Sequence, residues 1–220
     1  MIRVAAVAAL LTFALAAGAG AAPAPSRDPQ QRHTAADMKR AAALALRRTD
    51  LAAGWKADKP QKPSPPCTAG PDESKLVQTA RIDPSFTWKD GVTNVGSEID
   101  IFRSAPEARQ DWRLSTLDLM STCLLQSARA GVGAGVRVAL VSATKLAASK
   151  DVQRSLHYRL VFALKSTRSV TLVADIVALG RGRVTVVLHT LTVKTALPPT
   201  VVSALVGVLA GRLGTSGITA

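Results

Sequence analysis

The residues of this chain with chemistry to offer are few: two cysteines, three histidines, and one aspartate isolated in an apolar second half. Cys67, in PSPPCTAG, and Cys123, in LMSTCLL, could ligate a metal, act as a nucleophile or pair with each other. A zinc site needs further ligands at short spacing, and His33, His157 and His189 are scattered, with no C-x-x-C or H-x-x-x-H pattern. A reactive thiolate needs a basic or helix-N-terminal setting, whereas Cys123 falls near the end of a predicted helix. In an exported chain an even pair is most simply one disulfide, with a free thiol as the alternative. Loop-closure entropy puts a link around about 57 residues at about 4 kcal/mol.

Asp175 is the only acid after Asp151 and sits inside LVADIVAL. If Gly180–Gly182 forms a three-residue turn, Asp175 faces Val187, and His189 lies diagonally beside it on the same face. A carboxylate beside an imidazole and an arginine could be an acid/base pair, the basis of an envelope hydrolase. The competing reading is a structural ion pair, favoured because neither a third catalytic partner nor a G-x-S-x-G motif accompanies them. Trp55, Trp88 and Trp112 could line a ligand cleft or serve only as packing. Gly131, Gly133 and Gly135 lie between a helix and a strand without G-K-[ST], so they read as a connection and not as a phosphate loop. Neither a metal nor a cofactor is expected.

The formal net charge is +13. Residues 119–220 hold 12 Lys and Arg against 2 acids, and residues 1–118 hold 16 against 13. Such asymmetry favours anionic partners. Nucleic acid is not expected, because the strands lack stacking aromatics; acidic lipid headgroups or wall polymers suit better. Arg137, Arg159, Arg181 and Arg183 would carry such adhesion if they share one exposed patch.

The elements that must position these residues follow from pattern. Residues 1–22, MIRVAAVAALLTFALAAGAGAA, have a basic start, a short apolar run and A-x-A sites, the order of a secretory signal peptide. A retained N-terminal anchor is the alternative, and no later stretch is long enough to span a bilayer. A polar leader, 23–33, precedes one globular domain, 34–213, and a tail, 214–220. Thr34 and Asp37 form a capping box for a helix reaching RRT. Five prolines from Pro60 to Pro71 exclude helix and inner strand. Asp90-Gly91 marks a two-residue hairpin turn whose register sets Phe86 opposite Val95, Ile82 opposite Ile99 and Ala80 opposite Ile101, with Glu98 and Asp100 on the other face. Ser104 and Glu107 cap a single helix whose apolar face holds Ala108, Trp112, Leu119, Met120 and Cys123. Strands at about 136–146, 154–164, 170–179 and 183–192 precede a last helix from Pro198. The expectation is an α+β fold of order α-ββ-α-ββββ-α, with an antiparallel sheet of about six strands packed against helices.

TDLAAGWK, a cysteine after the proline-rich connection, VGSEIDIFRSAPEARQDW before a helix with the second cysteine, and the late DIVALGRGR together resemble secreted actinobacterial proteins. Over about residues 35–213 the chain is similar to the PknH-like extracellular sensor domain family, which implies a PsbP-like α/β/α fold and an exported binding or sensing module of the bacterial cell envelope. The resemblance implies a cleft beside the sheet for an unknown small ligand, and signalling through a partner protein.

Overall fold

The computed structural model describes residues 28–59, 67–133, 135–167 and 169–215. The expected signal peptide, 1–22, lies outside the described residues, as do 23–27 of the leader, 60–66 of the proline-rich connection and 216–220 of the tail.

Nine strands make one sheet: β1 (Gln30–Gln31), β2 (Trp55–Ala57), β3 (Val77–Ile82), β4 (Ser85–Trp88), β5 (Asn94–Phe102), β6 (Arg137–Lys145), β7 (Arg154–Lys165), β8 (Ser169–Arg181) and β9 (Val184–Val193). Their order is β1-β3-β5-β9-β8-β7-β6, with β4 also on β5 and β2 on β4. All pairings are antiparallel except β1 with β3. The expected six strands are present, but the first is broken at Asp83-Pro84 into β3 and β4. Because both halves keep the predicted register, Ala80 meets Ile101, Ile82 meets Ile99 and Phe86 meets Val95. β1 and β2, two and three residues long, are too short to show a period.

The first hairpin turn is wider than expected. Trp88 N–H donates to Thr93 O at 2.8 Å, leaving residues 89–92 as the loop, and Gly91 takes φ +74. Asp90 accepts from the N–H groups of Val92 and Thr93, each at 2.9 Å, so its side chain fastens the wider loop.

Four helices cover the sheet: α1 (Ala35–Leu44), α2 (Ala105–Leu114), α3 (Leu117–Gly131) and α4 (Pro199–Thr215). α1 stops before the predicted end, where Leu46 N–H leaves the helical pattern to donate to Ser97 Oγ at 3.0 Å. Only half of each capping box forms. Thr34 accepts from Asp37 N–H and Ser104 from Glu107 N–H, but the Asp37 carboxylate turns to Arg183 and that of Glu107 to Arg103. The single helix expected after Ser104 is two, because Thr116 opens a second N-cap by accepting from Leu119 N–H at 3.4 Å.

α1 and α4 pack on one face of the sheet, around Ile99, Ile101, Leu179, Val186 and Leu188. On the opposite face α2 contributes Trp112 and α3 contributes Leu117, Met120 and Leu124 to a core around Tyr158, Leu160, Phe162 and Ile176. The result is three layers, α/β/α. Cys67 is bonded to Cys123, tying the connection before β3 to α3. β6 ends the sheet, and its pairing with β7 slips at Val141, whose side chain is 63% exposed.

Candidate functional site

The residues singled out from the sequence do not converge. Arg181 pairs with Val184 and Gly180 with Thr185, so the β8–β9 turn is Gly182-Arg183, with Gly182 at φ +55, and not Gly180–Gly182. This odd register shift moves Asp175 opposite Thr190 and puts His189, opposite Ile176, on the other face. The expected Asp175–His189 pair therefore does not form. Asp175, 1% exposed, is held from β7 by Arg159, Nε at 2.7 Å and Nη2 at 2.9 Å, with His157 Nε2 at 3.5 Å. Burial pushes its carboxyl up, but His157 and Arg159 outweigh that and hold it below the usual range. His189 lies against Gly96, where any Cβ would collide with its Nε2. Burial lowers its pKa, opposed by Glu98 and Asp83.

The tryptophans are divided between the faces. Trp55 and Trp88 meet edge to face at 5.3 Å on β2 and β4, and Trp55 packs on the α1/α4 core, whereas Trp112 joins the opposite one. The arginines are also dispersed. Arg183 forks onto Asp37 at 2.6 and 2.8 Å, and Arg181 donates to Gly214 O at 2.9 Å. Arg137, opposite Lys165, sits at the far end of β7 from the Arg154–Gly180 pair, roughly 35 Å away at strand rise. These four arginines form no single patch.

A different constellation emerges under α2. The hairpin parity sets Glu98 and Asp100 on the face away from Ile99 and Ile101, and α2, joined to β5 through only Arg103 and Ser104, doubles back over that face. On α2, Ala108, Asp111 and Trp112 share one stripe at spacings of three and four; Ala108 is buried with Leu76 and Phe102, so the same stripe sets Asp111 toward the sheet. Beneath it a row of Cα partners crosses five strands: Arg81 (β3), Asp100 (β5), Thr185 (β9), Gly180 (β8) and Arg154 (β7). Gly180 admits Arg154, whose Nε lies 2.7 Å from where a Cβ would stand. The Arg154 guanidinium rests 5.4 Å from the Trp112 centroid and donates to Gly182 O at 3.1 Å. Arg81 Nη2 binds Glu98 at 2.9 Å, while its Nη1 is 3.8 Å from Asp100 Oδ1.

Three polar atoms of this row, Asp100 Oδ1, Thr185 Oγ1 and Arg154 Nε, are buried without a hydrogen-bond partner among the described residues. Asp100 is 7% and Thr185 4% exposed, whereas the side chains of Glu98 and Arg81 are 30% and 38% exposed. The row is therefore polar and buried at its centre and half-exposed at its Arg81 end. Burial, and then the charges of Glu73 and Glu98, push Asp111 up to about 7 against the pull of Arg81 and Arg154. Burial and Glu98 likewise raise Asp100 well above the carboxylate range. Among the described residues no group of three or more His, Cys, Asp or Glu could hold a metal ion.

Asp100, Thr185 and Asp111 were missed as site residues because an acid on the polar face of a hairpin reads as solvated. The signal available was Asp111, an acid inside the apolar stripe of Ala108 and Trp112. Thr185 became visible only with the correct turn.

No protein-family model and no curated protein matches the chain. Among solved structures, it is similar to the extracellular domain of PknH from Mycobacterium tuberculosis, with 12% identity and a TM-score of 0.49 over 80% of this chain and 96% of that one. It is also similar to an uncharacterised protein from Mycobacterium smegmatis, with 12% identity and a TM-score of 0.37 over 79% and 97%.

Proposed function

We propose that the chain is an exported, non-enzymatic ligand-binding or sensing domain of the bacterial cell envelope, with the polar row under α2 as its binding site. The observation that carries this reading is the row of orphaned buried atoms. Leaving a buried polar group unsatisfied costs about 1–3 kcal/mol, so a row that leaves Thr185 Oγ1 and Arg154 Nε without hydrogen bonds, and Asp100 Oδ1 held only by Arg81 at 3.8 Å, carries a standing cost that a bound polar group would relieve. The Cys67–Cys123 bond supports an oxidising compartment. No described helix is long and apolar enough to cross a membrane.

Thr185→Val tests the site, because valine keeps the shape and removes the hydroxyl. The free variant is expected to melt at or above the parent temperature, and ligand-induced thermal shifts, read across anionic, neutral and cationic small molecules, are expected to disappear. A variant that keeps every such shift sinks the reading.

A further inference from the structure

We propose that α2 is a proton-operated lid over this row: seated while the carboxyls beneath it carry protons, and lifted when they lose them. The proposal rests on the binding reading above and adds the movement by which a ligand gains entry.

Asp100 Oδ1, Thr185 Oγ1 and Arg154 Nε are buried, so a ligand reaches them only when a covering element moves. α2 packs on β5 and β9, the strands of Asp100 and Thr185, and it is the most lightly held of the four helices. α4 buries five residues and α1 three, whereas α2 buries Ala108 alone. α3 also buries only one, Ser121, but five part-buried apolar residues and the disulfide fix it in place. Beyond Ala108, α2 gives a core only Trp112, and that ring rests on the Arg154 guanidinium, 5.4 Å from its centroid. Hydrophobic stabilisation scales with the apolar area removed from water, so little of it holds α2 down.

The two ends of α2 are pinned. Arg103 N–H donates to Val77 O at 2.8 Å ahead of the helix, and Tyr158 Oη donates to Ser115 O at 3.2 Å behind it. Between these pins the ten residues of α2 can swing without breaking a strand pairing or moving α3.

Three segments bring carboxyls to the joint: Asp111 on α2, Glu98 and Asp100 on β5, and Glu73 ahead of β3. The cations are Arg81 on β3, Arg154 on β7 and Arg109 on α2, and the remaining charged or titratable neighbours are Asp28 before β1, Asp83 after β3 and His189 on β9. Arg81 is shared between Glu98 at 2.9 Å and Asp100 at 3.8 Å, and Arg154 is turned to the Trp112 ring and Gly182 O. With α2 seated, burial holds Asp111 up to about 7 and Asp100 well above the usual carboxylate range, so in mild acid both are neutral and place no charge under the helix. Ionised, each needs water, and lifting α2 supplies it. The seated form therefore holds protons that the lifted form releases. A lifted Asp111 returns to about 4, so acid below that value favours neither form through this group, and rising pH favours the lifted form increasingly up to about 7. One released proton shifts the equilibrium by up to about tenfold per pH unit in that window.

The test is made on the chain with its disulfide intact and with no ligand added. Hydrogen exchange of the α2 amides, referenced to the intrinsic rate at each pH, is read in the parent from about pH 4 to 8.5; acrylamide quenching of Trp112 is read over the same range after Trp55→Phe and Trp88→Phe. Both should rise toward pH 7 and level off above it, with the opening constant increasing by about tenfold or more while far-UV circular dichroism shows the rest of the fold intact. Asp111→Asn has no proton to lose and should remove about tenfold or more of that rise. Glu73→Gln removes a charge that raises Asp111 and should move the midpoint to lower pH, which a purely structural role for Asp111 would not do. Exchange and quenching that ignore pH, that change equally in Asp111→Asn, or that change only as the whole domain unfolds overturn the lid. Since no ligand is present, the two readings fail separately: a moving α2 with no ligand-induced thermal shift keeps the lid and removes the site, whereas ligand-induced shifts over a still α2 remove the lid alone.

Discussion

A buried aspartate, Asp175, and a half-buried one, Asp111, on opposite faces of the sheet should respond to pH in opposite directions. Asp175 has a folded pKa below its unfolded value, so its ion pair stabilises the domain above about pH 4 and that contribution is lost as pH falls through the folded value. Asp175→Asn should lower stability by about 1–3 kcal/mol at neutral pH, leaving Arg159 without its partner, with the difference closing below about pH 3. Asp111 is the reverse. Its folded pKa of about 7 lies above the unfolded value, so the native state holds an extra proton between about pH 4 and 7, and stability falls across that window. Asp111→Asn should flatten that slope and exceed the parent at pH 8 by about 1 kcal/mol or more. Thermal melts at pH 3, 5 and 8 separate the two, and equal slopes in parent and Asp111→Asn would refute the second.

At the scale of elements, the hairpin register was legible because Phe86, Ile82 and Ala80 must all share a buried face with Val95, Ile99 and Ile101, and a one-residue slip would expose every one. The loop that makes it was not, since Asp90 stabilises the wider loop through a side chain whose choice no pattern encodes. The β8–β9 strands were legible as strands but not in register. LVADIVAL and VTVVLHTL are apolar on both faces, so neither parity is penalised, and the whole assignment fell to GRG, where either glycine can supply a positive φ. That ambiguity misplaced His189 and hid Thr185. The correct register makes His189 the tight neighbour of Gly96. Gly96→Ala should therefore cost about 1–3 kcal/mol in denaturant melts, because a methyl there must displace a buried imidazole across the central β5–β9 pair. A loss below about 0.5 kcal/mol would contradict that packing.

At the scale of the whole molecule, the disulfide is the one covalent tie between the proline-rich connection and the α2/α3 layer. It was read from an even cysteine count in a chain expected to be exported, once zinc and thiolate settings had been found wanting, and is present between Cys67 and Cys123. Replacing both by serine should lower stability by about 4 kcal/mol, less any residual order in the unfolded chain, and non-reducing peptide mapping of the parent should return the linked pair. From residue pattern alone the layering was legible only as helices against a sheet; the α/β/α order came with the family resemblance. Which helix takes which face depends on the β5–β9 pairing, a contact between residues about ninety apart that no local pattern announces. Of the four arginines considered for adhesion, Arg159, Arg181 and Arg183 are engaged by Asp175, Gly214 and Asp37.

The irregularity at Val141 matters beyond the strand that carries it. β6 is where the long meander ends, and no described strand pairs with its outer backbone groups; a straight edge of nine residues would be a template for another molecule emerging beside it. The extra residue twists that edge out of register with any straight partner, and Arg137 and Lys145 place like charges at its two ends. The bulge therefore gives edge-to-edge pairing between copies of the chain no regular surface on which to start.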